Sequence, residues 1–227
     1  MKDQLKIDFE KILKISNFSK KNINLKKNNF DKFVERGFPS RKIENWKFID
    51  LSQIIKKNIE ELSFYNDYSI TNKIDTSIFI DGLEHNKIIF INGRIEKIDF
   101  DYEDKNQIEI YDDIEIKDNI KNENSLINLN NAFSNKNYKI LIKKNYSIKR
   151  PLIIYHLTNK KMKSKNINLR LDFELEQNSS LKLIDFFNDT DDKNFMNIFY
   201  NFDLKEDSIL KNFKIDKSLN QNLKYFF

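Results

Sequence analysis

The chain has 227 residues, a net charge of +5 and no cysteine. This length suits one large domain, or a small domain beside a larger one. Without cysteine the chain cannot form a disulfide, supply thiolate ligands to a metal centre or use a cysteine nucleophile. The 40 basic residues are interleaved with 35 acidic ones. A dedicated nucleic-acid-binding protein would instead concentrate its basic residues in a stripe.

The N-terminal residues favour a soluble, cytoplasmic protein. Residues 1–14 are charged throughout and lack the apolar stretch of a signal peptide. No run approaches the roughly 20 apolar residues of a membrane-spanning helix.

The first third of the sequence, residues 1–75, is expected to form a helical region. Leu5, Phe9 and Ile12, with Leu13 beside them, fall on one helix face. A second helix is predicted over residues 29–36, where Gly37 and then Pro39 provide an ordinary helix stop.

A third helix is predicted over residues 51–57, with Asp50 as its N-cap.

Residues 76–227 are expected to form a β-strand region, because the hydrophobic pattern changes to a period of two. The predicted strands cover residues 78–80, 87–91, 108–116, 167–175, 181–187, 199–204 and 209–215. Asn92-Gly93 predicts one hairpin, and a short helix is expected over residues 125–133.

Many short strands separated by polar turns suit two architectures, a sandwich or barrel and a β-solenoid. The turn at residues 176–180 contains no glycine, which makes it a candidate solenoid corner. Composition and periodicity leave this choice open.

Few residues suggest chemistry. The three glycines are isolated, so no phosphate-binding loop is present. His156 lies in an apolar strand and is expected to be a core or edge histidine, whereas His85 is expected in a loop. Neither has further His, Cys or carboxylate partners at metal-ligand spacing. We therefore predict no catalytic residue and no metal ligand.

The most distinctive segment covers residues 37–51 and contains the only tryptophan. It carries a helix stop, a basic turn and a tryptophan next to charged residues, and Trp46 is expected to anchor the helical region on the strands. The residues that define the pattern are Gly37, Pro39, Arg41, Glu44, Trp46 and Lys47. In this pattern the segment resembles the signature near the start of SufD proteins, in the SufB/SufD family.

Further segments resemble the same family in the same order. They are Asn92-Gly93-Arg94, residues 129–133, residues 149–155, residues 170–176 and residues 180–186. The resemblance covers nearly the whole sequence from about residue 28, and its order is more specific than any single segment.

This resemblance implies a mainly β chain with an α-helical N-terminal region, followed by the first rungs of a right-handed parallel β-helix. It implies a non-catalytic scaffold subunit with two partners, a SufB-like subunit and a SufC-like ATPase. The iron–sulfur cluster, ATP on SufC and a reduced flavin belong to the complex, so no cofactor is expected on this chain. SufD proteins continue beyond this point, so the sequence is expected to be an N-terminal part that lacks the SufC-contacting helical domain.

Two other functions fit parts of the pattern. A β-helix polysaccharide lyase or hydrolase would use carboxylates such as Asp185 or Asp189, which the fold would have to pair. A basic nucleic-acid-binding module would fit the isoelectric point near 9.0.

Overall fold

The structure is a computed structural model of the 227-residue chain. It describes residues 2–15, 18–64, 79–112, 114, 124–158, 162–188, 193–217 and 223–226. None of the described helices has the length and apolar composition needed to span a bilayer.

Four α-helices and one 3₁₀ turn are present among the described residues. They are α1 (Lys2–Ile15), α2 (Lys20–Arg36), the 3₁₀ turn (Glu44–Trp46), α3 (Leu51–Asn58) and α4 (Ser125–Phe133). The predicted helices over 51–57 and 125–133 are confirmed. The helix predicted over 29–36 is longer than expected, because it begins at Lys20 behind an N-cap serine, Ser19, whose side chain accepts from the Asn22 amide.

The predicted helix boundaries have the expected capping interactions. The Asp50 side chain accepts a hydrogen bond from the Gln53 amide, which satisfies one free donor at the start of α3. Gly37 ends α2 with a φ of +69°, and its amide donates to the Phe33 carbonyl. A side chain at this φ would strain the backbone, so glycine is favoured there.

Ten strands follow. They are β1 (Asn86–Ile91), β2 (Arg94–Asp99), β3 (Ile108–Tyr111), β4 (Asn137–Ile142), β5 (Leu152–Leu157), β6 (Asn166–Leu175), β7 (Ser180–Asn188), β8 (Phe195–Leu204), β9 (Ile209–Asp216) and β10 (Leu223–Phe226). Sheet I has the order β2-β1-β5-β7-β9, and sheet II has the order β10-β8-β6-β4-β3.

From β5 to β10 the chain alternates between the sheets, and from β6 onwards each strand pairs in parallel with the strand two positions earlier. β5 pairs in parallel with β1. Only the β1–β2 and β3–β4 pairs are antiparallel among the described strands. Asn166 pairs with Phe195, which lies 29 residues later. Ser180 and Ile209, paired between β7 and β9, have the same separation. Paired positions lie 33 residues apart between β4 and β6, 31 between β5 and β7, and 28 between β8 and β10. The chain therefore repeats one path every 28 to 33 residues over these pairs.

Three turns of one design are stacked along one edge of the sheets. They cover residues 143–146, 176–179 and 205–208, and each is closed by a hydrogen bond from its fourth amide to its first carbonyl. Their third residues, Asn145, Asn178 and Asp207, all have φ between +56° and +60°. Asn and Asp tolerate this left-handed region better than other non-glycine residues do. The stack is held by hydrogen bonds from the Asn145 amide to Gln177 and from the Asn178 amide to Glu206.

The predicted hairpin at Asn92-Gly93 is confirmed. It joins β1 to β2 with positive φ at both residues, as a type I′ turn requires. A Cβ added to Gly93 would lie 2.9 Å from the Ile167 side chain, so close packing adds a second reason for glycine.

Two predicted strands differ from the structure. Phe79 and Ile80 are not in a strand: the Ile80 amide donates to the Tyr155 hydroxyl, a side chain, rather than to a neighbouring strand. Residue 78 lies outside the described residues. The strand predicted over 108–116 ends at Tyr111, and residues 113, 115 and 116 are also outside the described part of the chain.

The main core lies between the inner faces of the two sheets. The alternation predicted in β6 is confirmed, since Ile167, Leu169, Leu171, Phe173 and Leu175 are all fully buried there. A second cluster joins the helices to the outer face of sheet II, where Phe133 of α4 and Phe195 of β8 are buried together. Burial of so many apolar side chains supplies the main driving force for this arrangement.

Side-chain amides fix α4 on sheet II. Asn130 donates to the carbonyls of Leu169 and Asn197, at 3.0 and 2.7 Å. Asn197 donates in return to the Leu126 carbonyl in α4, at 2.9 Å. Because a buried amide needs partners, these bonds set the height and rotation of the helix on the sheet.

Lys26 of α2 closes the C-terminal end of α4 from inside the protein. Its side chain is buried, and its Nζ lies 3.3, 3.4 and 2.5 Å from the carbonyl oxygens of Asn131, Ala132 and Ser134. Lys26→Met is expected to lower the free energy of unfolding by about 2–3 kcal/mol, because it leaves buried carbonyls without a donor.

Urea unfolding of Lys26→Met, followed by circular dichroism, measures this loss. Lys27→Met is the matched control, because Lys27 is the exposed neighbour on the same helix. Equal stability of the two variants would contradict the capping role.

The prediction of a mainly β chain with helices at its N-terminus is confirmed in part. The structure is mixed α/β with two mostly parallel sheets, about 39% strand and 27% helix, so strand predominates but helix is substantial. The described strands form two sheets rather than one closed coil.

Candidate functional site

The segment that stood out in the sequence forms a closed loop between α2 and α3. Residues 39–51, called here the signature loop, begin and end together because the Leu51 amide donates to the Pro39 carbonyl at 3.1 Å. Between them, consecutive turns are closed by amide-to-carbonyl bonds from Ile43 to Ser40 and from Ile49 to Trp46. Such a bonded backbone holds the loop in one conformation.

The signature side chains face different surroundings. Trp46 packs against Tyr225 of β10, with ring centroids 5.2 Å apart, so it connects the loop to sheet II. Glu44 and Lys47 form an ion pair of 3.1 Å at the surface. Arg41 is exposed, and neither it nor Lys42 has a charged or hydrogen-bonded partner among the described residues.

The loop also displays apolar side chains to solvent. Phe48 is 82% exposed, and Ile43 and Ile49 are 46% and 44% exposed. The ammonium group of Lys47 lies 5.4 Å from the centre of the Phe48 ring. Single exposed apolar side chains are ordinary, whereas this loop exposes three within seven residues, which makes it a candidate interaction surface.

A cavity of about 570 Å³ lies beside the signature loop, in the size range of small-molecule pockets. Its lining includes the apolar side chains of Phe38, Ile55 and Leu62. Lys56 and Glu60 add charges of both signs, so the lining indicates no particular ligand.

A buried polar cluster formed by His156, Asp185 and Tyr200 lies in the interior of the strand region. The first two have no exposed surface, and Tyr200 is 7% exposed. The Nε2 of His156 lies 3.1 Å from Asp185 Oδ1 and 3.0 Å from the Tyr200 hydroxyl, which itself donates to Asp185 Oδ1. The imidazole stacks parallel to the Phe187 ring at 4.5 Å. The three side chains come from β5 and β7 of sheet I and β8 of sheet II.

Burial determines the electrostatics of this cluster. Burial, and then the adjacent Asp185 carboxylate, raise the pKa of Tyr200 well above its ordinary value, so the phenol keeps its proton. Burial lowers the pKa of nearby Lys214, against an opposing effect of Asp185. His156 Nδ1 and Asp185 Oδ2 are buried without a hydrogen-bond partner among the described residues.

This geometry joins the two sheets but offers no access to a large substrate. As predicted, His156 is a core histidine. Asp185 is fully buried between the two sheets, so a polysaccharide chain cannot reach it in this conformation. Asp189 lies outside the described residues, so the carboxylate pair considered for hydrolysis cannot be evaluated.

His85 lies just before β1 and forms a consistent chain of hydrogen bonds. Its Nδ1 is 2.6 Å from the Leu83 carbonyl, which can only accept, so Nδ1 carries the proton. Its Nε2 therefore accepts from the Tyr155 hydroxyl at 2.8 Å, while Tyr155 accepts from the Ile80 amide at 3.1 Å. These hydrogen bonds attach residues 80–85 to β5.

His85 is expected to make the protein less stable in acid. Burial lowers the pKa of His85 from 6.5, an effect that the Leu83 carbonyl only partly opposes. The unfolded chain therefore takes up the proton first as the pH falls. Stability should be constant above about pH 7 and should fall as the pH drops below about 6.5 towards the lower folded pKa.

Urea unfolding between pH 5 and 8, compared for wild type and His85→Gln, isolates this effect. Glutamine retains a donor and an acceptor but does not titrate, so the variant should lose less stability than wild type on acidification. Identical pH profiles for the two proteins would contradict the assignment.

The described residues contain no group of three or more His, Asp or Glu side chains arranged to hold a metal ion. Comparison with known proteins adds no assignment: no protein-family model matches the sequence, and no curated protein matches it.

Sequence reasoning identified His156 but missed its partners. The pattern contained a usable signal, because Asp185 occupies an inward position between Leu183 and Phe187. A carboxylate on the dry face of a strand requires buried donors, which Tyr200 and His156 supply.

Proposed function

We propose that this chain is a non-catalytic scaffold subunit of the SufD type, acting in the cytoplasm in a complex that assembles iron–sulfur clusters. The observation that carries the proposal is the ordered series of SufD-like segments. In the structure these segments coincide with elements that define the strand region. Asn92-Gly93 forms the first hairpin, residues 129–133 lie in α4, and residues 180–186 lie in β7.

We further propose that the strand region is the beginning of a right-handed parallel β-helix. The alternation between sheets and the repeat of 28 to 33 residues between paired strands support this proposal. The stacked turns at Asn145, Asn178 and Asp207 support it as well, because a solenoid places equivalent corners above one another. The hand of the coil follows from the family resemblance.

In this proposal the partners are a SufB-like subunit and a SufC-like ATPase. The iron–sulfur cluster is the product of the complex, and ATP binds to the SufC-like subunit. The resemblance also links the complex to a reduced flavin, but no described residue indicates a flavin site. This chain has no cysteine, so it contributes no thiolate to the cluster. Its contribution is a surface on which other subunits assemble.

The other two functions receive less support. The buried position of Asp185 does not favour a polysaccharide-active enzyme. Basic side chains on sheet II are paired with acidic ones, as in the Lys139–Glu174 and Lys143–Glu109 ion pairs. Such pairing weakens the attraction to phosphate groups that nucleic-acid binding requires.

Depletion of the protein in its native cells tests the proposed function. The activity of enzymes that need iron–sulfur clusters should fall, while the activity of metal-free enzymes should remain unchanged. Re-expression of the protein should restore the lost activity. Unchanged iron–sulfur enzymes after full depletion would contradict the proposal.

A further inference from the structure

The signature loop combines a fixed backbone with side chains that have no internal role. Hydrogen bonds close its turns, and Trp46 is packed on Tyr225. Phe48, however, projects into solvent with 82% of its surface exposed. Because the backbone is already ordered, binding through this loop would cost little conformational entropy.

The charges on the signature loop indicate the chemistry of its partner. Arg41 and Lys42 are exposed and have no partner among the described residues, whereas Lys47 is already paired with Glu44. An exposed aromatic side chain and two unpaired cations on one ordered loop are complementary to an acidic groove that contains an apolar pocket. Aromatic and arginine side chains are also the residues that most often dominate binding energy at protein interfaces.

Two other occupants fit less well. A second copy of the chain, related by a two-fold axis through Phe48, would bring Arg41 and Lys42 towards the same cations of its neighbour. An anionic lipid surface is typically recognised by clusters of about four to eight basic side chains, whereas this loop offers two unpaired ones, Arg41 and Lys42. A groove on a protein can place carboxylates opposite Arg41 and Lys42 and apolar side chains opposite Phe48.

We propose that the signature loop docks into an acidic groove of a second protein, with Phe48 filling an apolar pocket in that groove. The inference rests on the proposed function in one respect, namely that this second protein is another subunit of the same assembly.

Three variants of the full chain, tagged at the native locus, test the proposal. Phe48→Ser removes the anchor, and the double variant Arg41→Glu, Lys42→Glu reverses the charge. Leu83→Ser is the matched control, because Leu83 is exposed but lies outside the loop. The loop variants should reduce recovery of the partner subunit about tenfold or more, the loss expected for an interface hot spot. The control should not, and all three should unfold at the wild-type temperature.

Salt and lipid controls complete the test. Recovery with wild type should fall as salt rises, and the charge-reversed variant should lose most of this dependence. Wild-type recovery by both loop variants would overturn the docking surface while leaving the scaffold function intact. Loss of a partner unrelated to cluster assembly would instead overturn the scaffold function and keep the surface. Recovery of no partner by wild type would overturn both.

Binding of the purified wild-type chain to phosphatidylserine vesicles, lost in Phe48→Ser, would also overturn the proposal, because it would assign the loop to membranes. Self-association that Phe48→Ser abolishes would do the same by assigning the loop to a second copy of the chain.

Discussion

His156→Leu is expected to lower the free energy of unfolding by about 3–4 kcal/mol. The substitution removes a hydrogen-bond donor from Oδ1 of Asp185, a fully buried residue. The other carboxylate oxygen, Oδ2, already lacks a partner among the described residues. It also ends the parallel stacking on Phe187. Urea unfolding, with circular dichroism and the fluorescence of the single tryptophan as independent probes, measures the loss.

The triple variant His156→Leu, Asp185→Leu, Tyr200→Phe provides the sharper comparison. Replacing all members of a buried polar cluster by apolar groups avoids stranded donors and acceptors. The triple variant should therefore be more stable than His156→Leu and within about 1 kcal/mol of wild type. If the triple variant lost as much unfolding free energy as the three single variants added together, the three side chains would not be energetically coupled. This account of the core would then be wrong.

Arg170→Met is expected to cost about 3–5 kcal/mol, because it breaks a buried charged network from one side. The guanidinium is 2% exposed. It bonds Asp172 at 3.0 Å through Nε and Asn131 at 3.0 Å through Nη1. It also lies over the Phe199 ring at 4.7 Å. Since Asn131 belongs to α4, the substitution should loosen the helices from sheet II.

Lys139→Met is the matched control for Arg170→Met. Lys139 lies on the same face of sheet II and pairs with Glu174, but the two side chains remain 30% and 26% exposed. Removing an ion pair of this kind should cost at most about 1 kcal/mol. A similar loss in both variants would show that burial does not set the importance of Arg170.

The local structure was largely predictable where single residues determine it. Asp50 marks the start of α3 and Gly37 the end of α2, since each supplies a specific cap. Asn92-Gly93 identified the first hairpin because its two residues tolerate positive φ. Alternating apolar residues identified β6, whose inner face is dry.

The stacking of the strands was less accessible from the sequence. The corner turns contain no glycine, and Asn145, Asn178 and Asp207 adopt the left-handed conformation in its place. In a chain rich in asparagine these three positions do not stand out. Their equivalence becomes visible only in the pairing of the strands, because the three positions are separated by unequal lengths of chain.

The signature loop and the His156 cluster were also only partly predictable from the sequence. The sequence drew attention to residues 37–51, but periodicity cannot distinguish a partly buried Trp46 from an exposed Phe48 two positions later. Their difference arises from the 3₁₀ turn, which directs Trp46 towards β10 and leaves Phe48 in solvent. The partners of His156 come from β7 and β8, so only the pairing of the sheets brings them together.

Purification of the chain with an N-terminal tag from its native locus, followed by mass determination of every protein that elutes, tests the scaffold function most directly. The account predicts that a SufB-like subunit and a SufC-like ATPase elute with it. A tagged chain that elutes alone under gentle, low-salt conditions would contradict the proposed function.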